Sequence, residues 1–186
     1  LKRTIGMHAW EIISSDGIDA LNLVERGTPI PGPGKVRVHM NANSINYRDL
    51  ITIEEAGSRK LPFPTVPNSD GAGVITAVGE GVSLKEGDRV TSCFFEEWAA
   101  GEISPPVMTS ALGGARQGVL AEEVILNEDG VIPTPAHLTD MEAATLPCAA
   151  LTAWHALTLP RPVKAGETVL LLGTGGVSVF AQQFCT

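Results

Sequence analysis

Between Lys35 and Met40 apolar and polar residues alternate with a period of two. Val36, Val38 and Met40 fall on one face and Lys35, Arg37 and His39 on the other, the pattern of a strand with one buried side. Met7 to Ile13 reads as an earlier strand, and Pro31-Gly32-Pro33-Gly34 between the two is a turn that no helix can cross. Gly73 to Val78 and Arg89 to Phe94 predict two more strands, linked through Gly79-Glu80-Gly81 and Gly87-Asp88, and Ala121 to Leu126 predicts another. Helical spacing is scarce until Thr139-Asp140-Met141-Glu142, where Thr139 is the candidate N-cap of a helix running toward Leu157; Pro147 should divide it into two pieces. Beyond residue 165 the pattern changes. Thr168-Val169-Leu170-Leu171-Leu172 is a continuous apolar run suited to a strand buried on both faces, followed by Gly173-Thr174-Gly175-Gly176-Val177-Ser178 and then by helical spacing to Phe184.

Composition narrows the classes of function. Hydrophobic residues make up 44% of the 186 positions and charged residues 18%, which argues for a packed core and against disorder. Thirteen Lys+Arg against 21 Asp+Glu give a net charge of −8, the wrong sign for nucleic acid or an anionic membrane as the main partner. No apolar run approaches the roughly 18 residues of a spanning helix, and the N-terminus lacks the order of a signal peptide. A start at Leu1 suggests that the native beginning is missing. Cys93, Cys148 and Cys185 are odd in number and far apart, which favours a reducing, cytoplasmic setting without disulfides. His8, His39, His137 and His155 show no metal-binding spacing.

The glycine turn carries chemistry. In a strand–turn–helix context Gly173 permits the tight turn and Gly175 leaves room for a pyrophosphate. The first backbone N–H groups of a helix beginning near Gly176, with Val177 and Ser178, face that anion. Ser178 stands where Gly-x-Gly-x-x-Gly would have its third glycine. The acidic residue expected about 20 positions later would fall beyond Thr186, so NAD(H) and NADP(H) are not distinguished.

Six pieces in order resemble the medium-chain dehydrogenase/reductase superfamily. They are Asn43-Ser44-Ile45-Asn46-Tyr47-Arg48-Asp49, Asp70-Gly71-Ala72-Gly73-Val74-Ile75, Gly87-Asp88-Arg89-Val90, Gly118-Val119-Leu120-Ala121-Glu122, Ala143-Ala144-Thr145-Leu146-Pro147 with Thr152-Ala153-Trp154, and the glycine turn. The resemblance implies a mainly β fold with some α. A GroES-like β-barrel catalytic domain over 1–149 would precede the truncated start of a Rossmann α/β domain over 150–186, with the active site in the cleft between them. Zinc-type members carry Cys where this chain has Asn46 and His-Glu where it has Ser69-Asp70; only the third ligand position, Cys148, is still a cysteine. The four-cysteine structural lobe is absent, with Cys93 alone in that region. No zinc is therefore expected.

The segment around Asn46 is similar to that of zinc-free quinone and enoyl reductases. An enone or enoyl thioester that accepts hydride at its β-carbon becomes an enolate, which needs hydrogen-bond donors and a proton. Tyr47, the only tyrosine, is the donor candidate, with a plain cleft-wall role as the alternative. Asn46 can donate its amide, Arg48 can pair with cofactor phosphate, and Asp49 can brace Arg48 or cap the following short helix. By the same resemblance Thr152 lies near the nicotinamide or merely caps a helix. Phe94, Phe95 and Trp98 form part of the substrate wall or of the core. The expectation is a zinc-independent, NAD(P)H-dependent oxidoreductase acting on a small hydrophobic carbonyl substrate (an activated alkene or a quinone). It would be a homodimer when complete and inactive as this fragment. An alcohol dehydrogenase and a non-catalytic GroES-like binding module are the alternatives.

Overall fold

The computed structural model describes residues 6–186; the expectation about Leu1 lies outside them. Strand β1 (Gly6–Ile12) pairs antiparallel with β2 (Leu21–Gly27), Gly6 opposite Gly27 and Ile12 opposite Leu21. A five-stranded antiparallel sheet follows, built from β3 (Lys35–Ser44), β4 (Asp70–Val78), β5 (Arg89–Ser92), β6 (Glu123–Asn127) and β7 (Val131–Pro133) in the order β6-β3-β4-β5-β7. Single bridges from Ala9 to Ala121 and from Ile12 to Thr65 tie the hairpin to the rest. The helices are α1 (Tyr47–Glu54), α2 (Pro105–Met108), α3 (Asp140–Ala143), α4 (Leu151–Thr158) and α5 (Gly176–Phe184).

The period-two face of β3 forms the core as predicted. Val36, Val38 and Met40 are buried with Ile75, Val90, Leu112, Val119, Val124, Leu126 and Val131. Each large side chain removed from water in this way contributes about 1.5–3 kcal/mol. Strands β2 and β7 were not legible. Leu21, Leu23 and Val24 break the alternation in β2, where Leu23 faces solvent, and β7 has three residues and ends in Pro133, which only an edge strand tolerates.

Thr139 caps α3 as expected. Its Oγ1 accepts the Glu142 N–H (3.2 Å) while the Glu142 carboxylate accepts the Thr139 N–H (2.8 Å), a reciprocal capping box. Pro147 does not leave two clean pieces. Leu146–Ala150 winds as a π-helical turn between α3 and α4. Pro147 has no N–H to give, and the Cys148 N–H is diverted to the Asp70 carboxylate at 2.9 Å, so the i→i−4 ladder cannot form there.

The doubly buried strand at Thr168–Leu172 is not observed. The segment has no regular secondary structure and pairs with no strand among the described residues, and Leu170 and Leu172 are 83% and 82% exposed. An apolar run becomes a buried strand only when neighbouring strands cover its edges and helices its faces, and the described residues supply neither. Helix α5 does begin at Gly176, behind Gly175 as its N-cap.

Candidate functional site

The site grows from the junction of β3 and α1. The backbone N–H of Asn46 donates to Asp49 Oδ2 (2.8 Å), so Asp49 caps α1. The other carboxylate oxygen of Asp49 lies 3.4 Å from Arg48 Nη1, so Asp49 does both tasks expected of it. The Arg48 guanidinium is set 4.6 Å above the Phe94 ring, a cation–π contact that ties α1 to the segment after β5.

A second strand of chain, Val66–Asp70, is clamped beneath. Gly118 N–H donates to Val66 O (2.7 Å) and Val119 N–H to Asn68 O (3.0 Å), while Asn68 adopts a left-handed φ of 73°. Ser92 Oγ donates to Ser69 O (2.8 Å) and accepts Gly71 N–H (3.0 Å). Asp70 is thereby held fully buried, with Ser69 Oγ on one oxygen (2.6 Å) and Cys148 N–H on the other (2.9 Å). Burial pushes the carboxyls of Asp70 and Asp49 above the usual carboxylate range, against the hydrogen bonds that favour ionisation. The Asn46 amide sits close enough to favour ionised Asp70, yet its Nδ2 completes no hydrogen bond and is buried.

Cys148 closes the group. Burial, then the charges of Asp70 and Asp49, push its thiol from the usual value near 9 up to about 11, opposed by Arg48 and by the Thr152 hydroxyl beside it. The thiolate fraction at pH 8 falls about 100-fold, and the higher nucleophilicity of the more basic thiolate regains about tenfold. Alkylation of Cys148 by iodoacetamide at pH 8 should therefore run about tenfold slower than that of a free thiol, as peptide mass spectrometry over a time course would show.

The structure brings together Asn46, Arg48, Thr152, Phe94 and Phe95, but not all the predicted residues. The Phe94 and Phe95 ring centroids are 4.7 Å apart, and Trp98 meets Phe95 edge-on at 5.5 Å. A cleft of about 540 Å³ is lined by Arg48, Thr52, Phe94, Phe95, Met108 and others; Trp98 stands behind it, its indole N–H donating to Gly101 O (3.0 Å). Tyr47 is outside this lining, 77% exposed at the first position of α1, with no hydrogen-bond partner for its hydroxyl among the described residues. At the glycine turn Gly173 has φ +75°, and a Cβ on Gly173 or Gly175 would meet nothing within 4 Å, which leaves the cradle open. Ser178 Oγ instead donates to Leu172 O (2.9 Å), and Gly176 makes the close approach, where a Cβ would lie 3.2 Å from Ala149 Cβ. The central position of Asp70 was missed. Its signals were its place where zinc-type relatives carry His-Glu and an acidic residue at the head of an apolar, glycine-rich strand; neither foretold the hydrogen bonds that bury it.

The alcohol dehydrogenase GroES-like domain matches residues 32–136. The chain belongs to this family. Its place is in the medium-chain dehydrogenase/reductase superfamily, as the motif order implied. It is 44% identical over 172 residues to a zinc-type alcohol dehydrogenase-like protein of Schizosaccharomyces pombe, covering 90% of this chain and 50% of that protein. A chloroplastic quinone-oxidoreductase homologue of Spinacia oleracea is 33% identical over 187 residues, covering 95% and 51%. A solved Sinorhizobium meliloti structure described as an alcohol dehydrogenase superposes with a TM-score of 0.88 at 40% identity, covering 96% of this chain and 53% of that one. The medium-chain chain thus spans about half the length of these relatives. Among the described residues no helix is long and apolar enough to cross a membrane.

Proposed function

We propose that the protein is a zinc-independent, NAD(P)H-dependent oxidoreductase that reduces an activated alkene or a quinone. The observation that carries this reading is the donor set where zinc-type relatives hold their metal. Asn46 offers only an amide, both Asp70 oxygens already accept protein hydrogen bonds, and Cys148 is left as the single soft ligand; three free ligands around an open position are not assembled. Among the described residues no group of three or more His, Cys, Asp or Glu is placed to hold a metal ion.

The dinucleotide fits the residues that would hold it. The open cradle over Gly173 and Gly175 and the first turn of α5, with Gly176, Val177 and Ser178, would take its pyrophosphate, and residues 150–186 would begin the nucleotide-binding unit. When bound, it supplies hydride. The residues of this chain then manage the acceptor's charge and proton. The Asn46 amide and the Tyr47 hydroxyl, both without a hydrogen-bond partner among the described residues, donate to the developing enolate oxygen, and Thr152 braces the Cys148 side of the pocket.

A zinc-dependent alcohol dehydrogenase is the second reading, favoured by the name of the Schizosaccharomyces pombe relative. Metal analysis of the purified complete protein, paired with NADPH and NADH oxidation against enones, quinones and aldehydes, separates the two. The expected result is less than one tenth of an equivalent of zinc together with enone or quinone turnover. One zinc per chain with aldehyde turnover alone would replace the first reading by the second.

A further inference from the structure

The cleft beside Arg48 has a charge opposite to that of the protein. The chain carries −8, yet among the described residues Arg48, Arg59 and Lys60 all line this one cleft and no carboxylate does. Apart from Thr52 its remaining side chains are apolar, with Phe94, Phe95 and Met108 among them. Arg59 is committed to Glu55 through Nη2 at 3.1 Å. Lys60 has no ion pair among the described residues, and it is exposed at the rim. Arg48 spends one nitrogen on Asp49 at 3.4 Å. Its Cζ lies 4.6 Å over the Phe94 ring, and a Cβ on Gly114 would come within 3.3 Å of its Nη2. A half-buried guanidinium held against an aromatic ring, with donors to spare, is organised in advance for a planar anion.

We infer that this cleft binds an amphipathic carboxylate: the apolar body lies on Phe94, Phe95 and Met108, the carboxylate meets Arg48, and Lys60 attracts it from the rim. The inference deepens the proposed function and rests on reading this cleft as the part of the acceptor site that holds the substrate's body and carboxylate, with the reacting carbons beyond its lining, toward Asn46 and Tyr47. The preferred acceptor would then be an activated alkene or quinone that carries a carboxylate. Arg48 would meet substrate here rather than cofactor phosphate; none of Gly173 to Ser178 lines the cleft.

Octanoate and octan-1-ol are suitable probes, because they share the chain and differ in charge. Calorimetric titration of the complete protein should show octanoate binding at least about tenfold more tightly, the worth of one charge-assisted hydrogen bond. The preference should shrink as salt rises. Arg48→Gln should abolish the preference. Lys60→Gln, at an exposed position where folding is not at stake, should lower octanoate affinity about threefold. Equal affinity for the two probes, or an octanoate affinity that neither variant changes, would overturn the inference. Turnover of enones and quinones, each with and without a carboxylate, tests the reductase reading separately: no turnover of any of them with octanoate preference intact would remove that reading alone, while turnover without octanoate preference would remove the cleft's specificity alone.

Discussion

Tyr47→Phe in the complete enzyme is expected to lower kcat about 100-fold, the cost of losing one positioned donor or proton source. The expectation follows from where the side chain sits. Tyr47 opens α1, next to the buried and unpartnered Asn46 amide, and its hydroxyl has no partner among the described residues to compete with substrate. The exposure of 77% also means that removing the hydroxyl strands no buried group. Melting temperature should therefore stay within about a degree, since an exposed change of this kind moves stability by less than about 0.5 kcal/mol. Steady-state kinetics beside a thermal melt give both readouts. A kcat equal to the parent's would assign Tyr47 to the wall.

Gly118→Ala should destabilise the fold by about 3 kcal/mol, the upper part of the usual range for forcing atoms into a packed interior. A Cβ there would lie 2.1 Å from Pro67 O and 2.2 Å from Asn68 O, both backbone atoms of the segment that positions Ser69 and Asp70. No flexible side-chain end can swing away. The segments must part, and the Gly118 N–H to Val66 O hydrogen bond goes with them. In a domain of this size the loss corresponds to a melting temperature lower by about 6–12 °C. Gly175→Ala is the control: a Cβ there meets nothing within 4 Å and its φ of −74° suits any residue, so only the poorer N-cap counts and the loss should stay below about 1 kcal/mol. A Gly118→Ala variant as stable as the parent would mean that the Pro67–Asn68 clamp is loose.

The two substitutions differ in how far the sequence alone foretold them. Tyr47 was visible as a lone tyrosine in a recognisable run, whereas nothing near Gly118 in the chain announces Pro67 or Asn68. The same division runs through the fold. The Pro31–Gly34 turn, the alternating face of β3, the Thr139–Glu142 capping box and the start of α5 at Gly176 follow from residues within a few positions of one another. The aromatic group of Phe94, Phe95 and Trp98 is likewise local, and it forms.

What the chain by itself determined, then, is the set of features governed by short-range sterics, capping and hydrophobic period, because those forces act over one or two turns. The tertiary structure decided the rest. Cys148 N–H reaches Asp70 across 78 positions and turns an expected helix break into a π-helical turn. Arg48 finds the Phe94 ring and becomes a cleft wall. Thr168–Leu172, apolar enough for a buried strand, stays exposed among the described residues because a strand's burial is set by what lies beside it. Asp70 becomes the centre of the candidate site only when β5, the Val66–Asp70 segment and the π-helical turn converge on it, and no local pattern records that convergence.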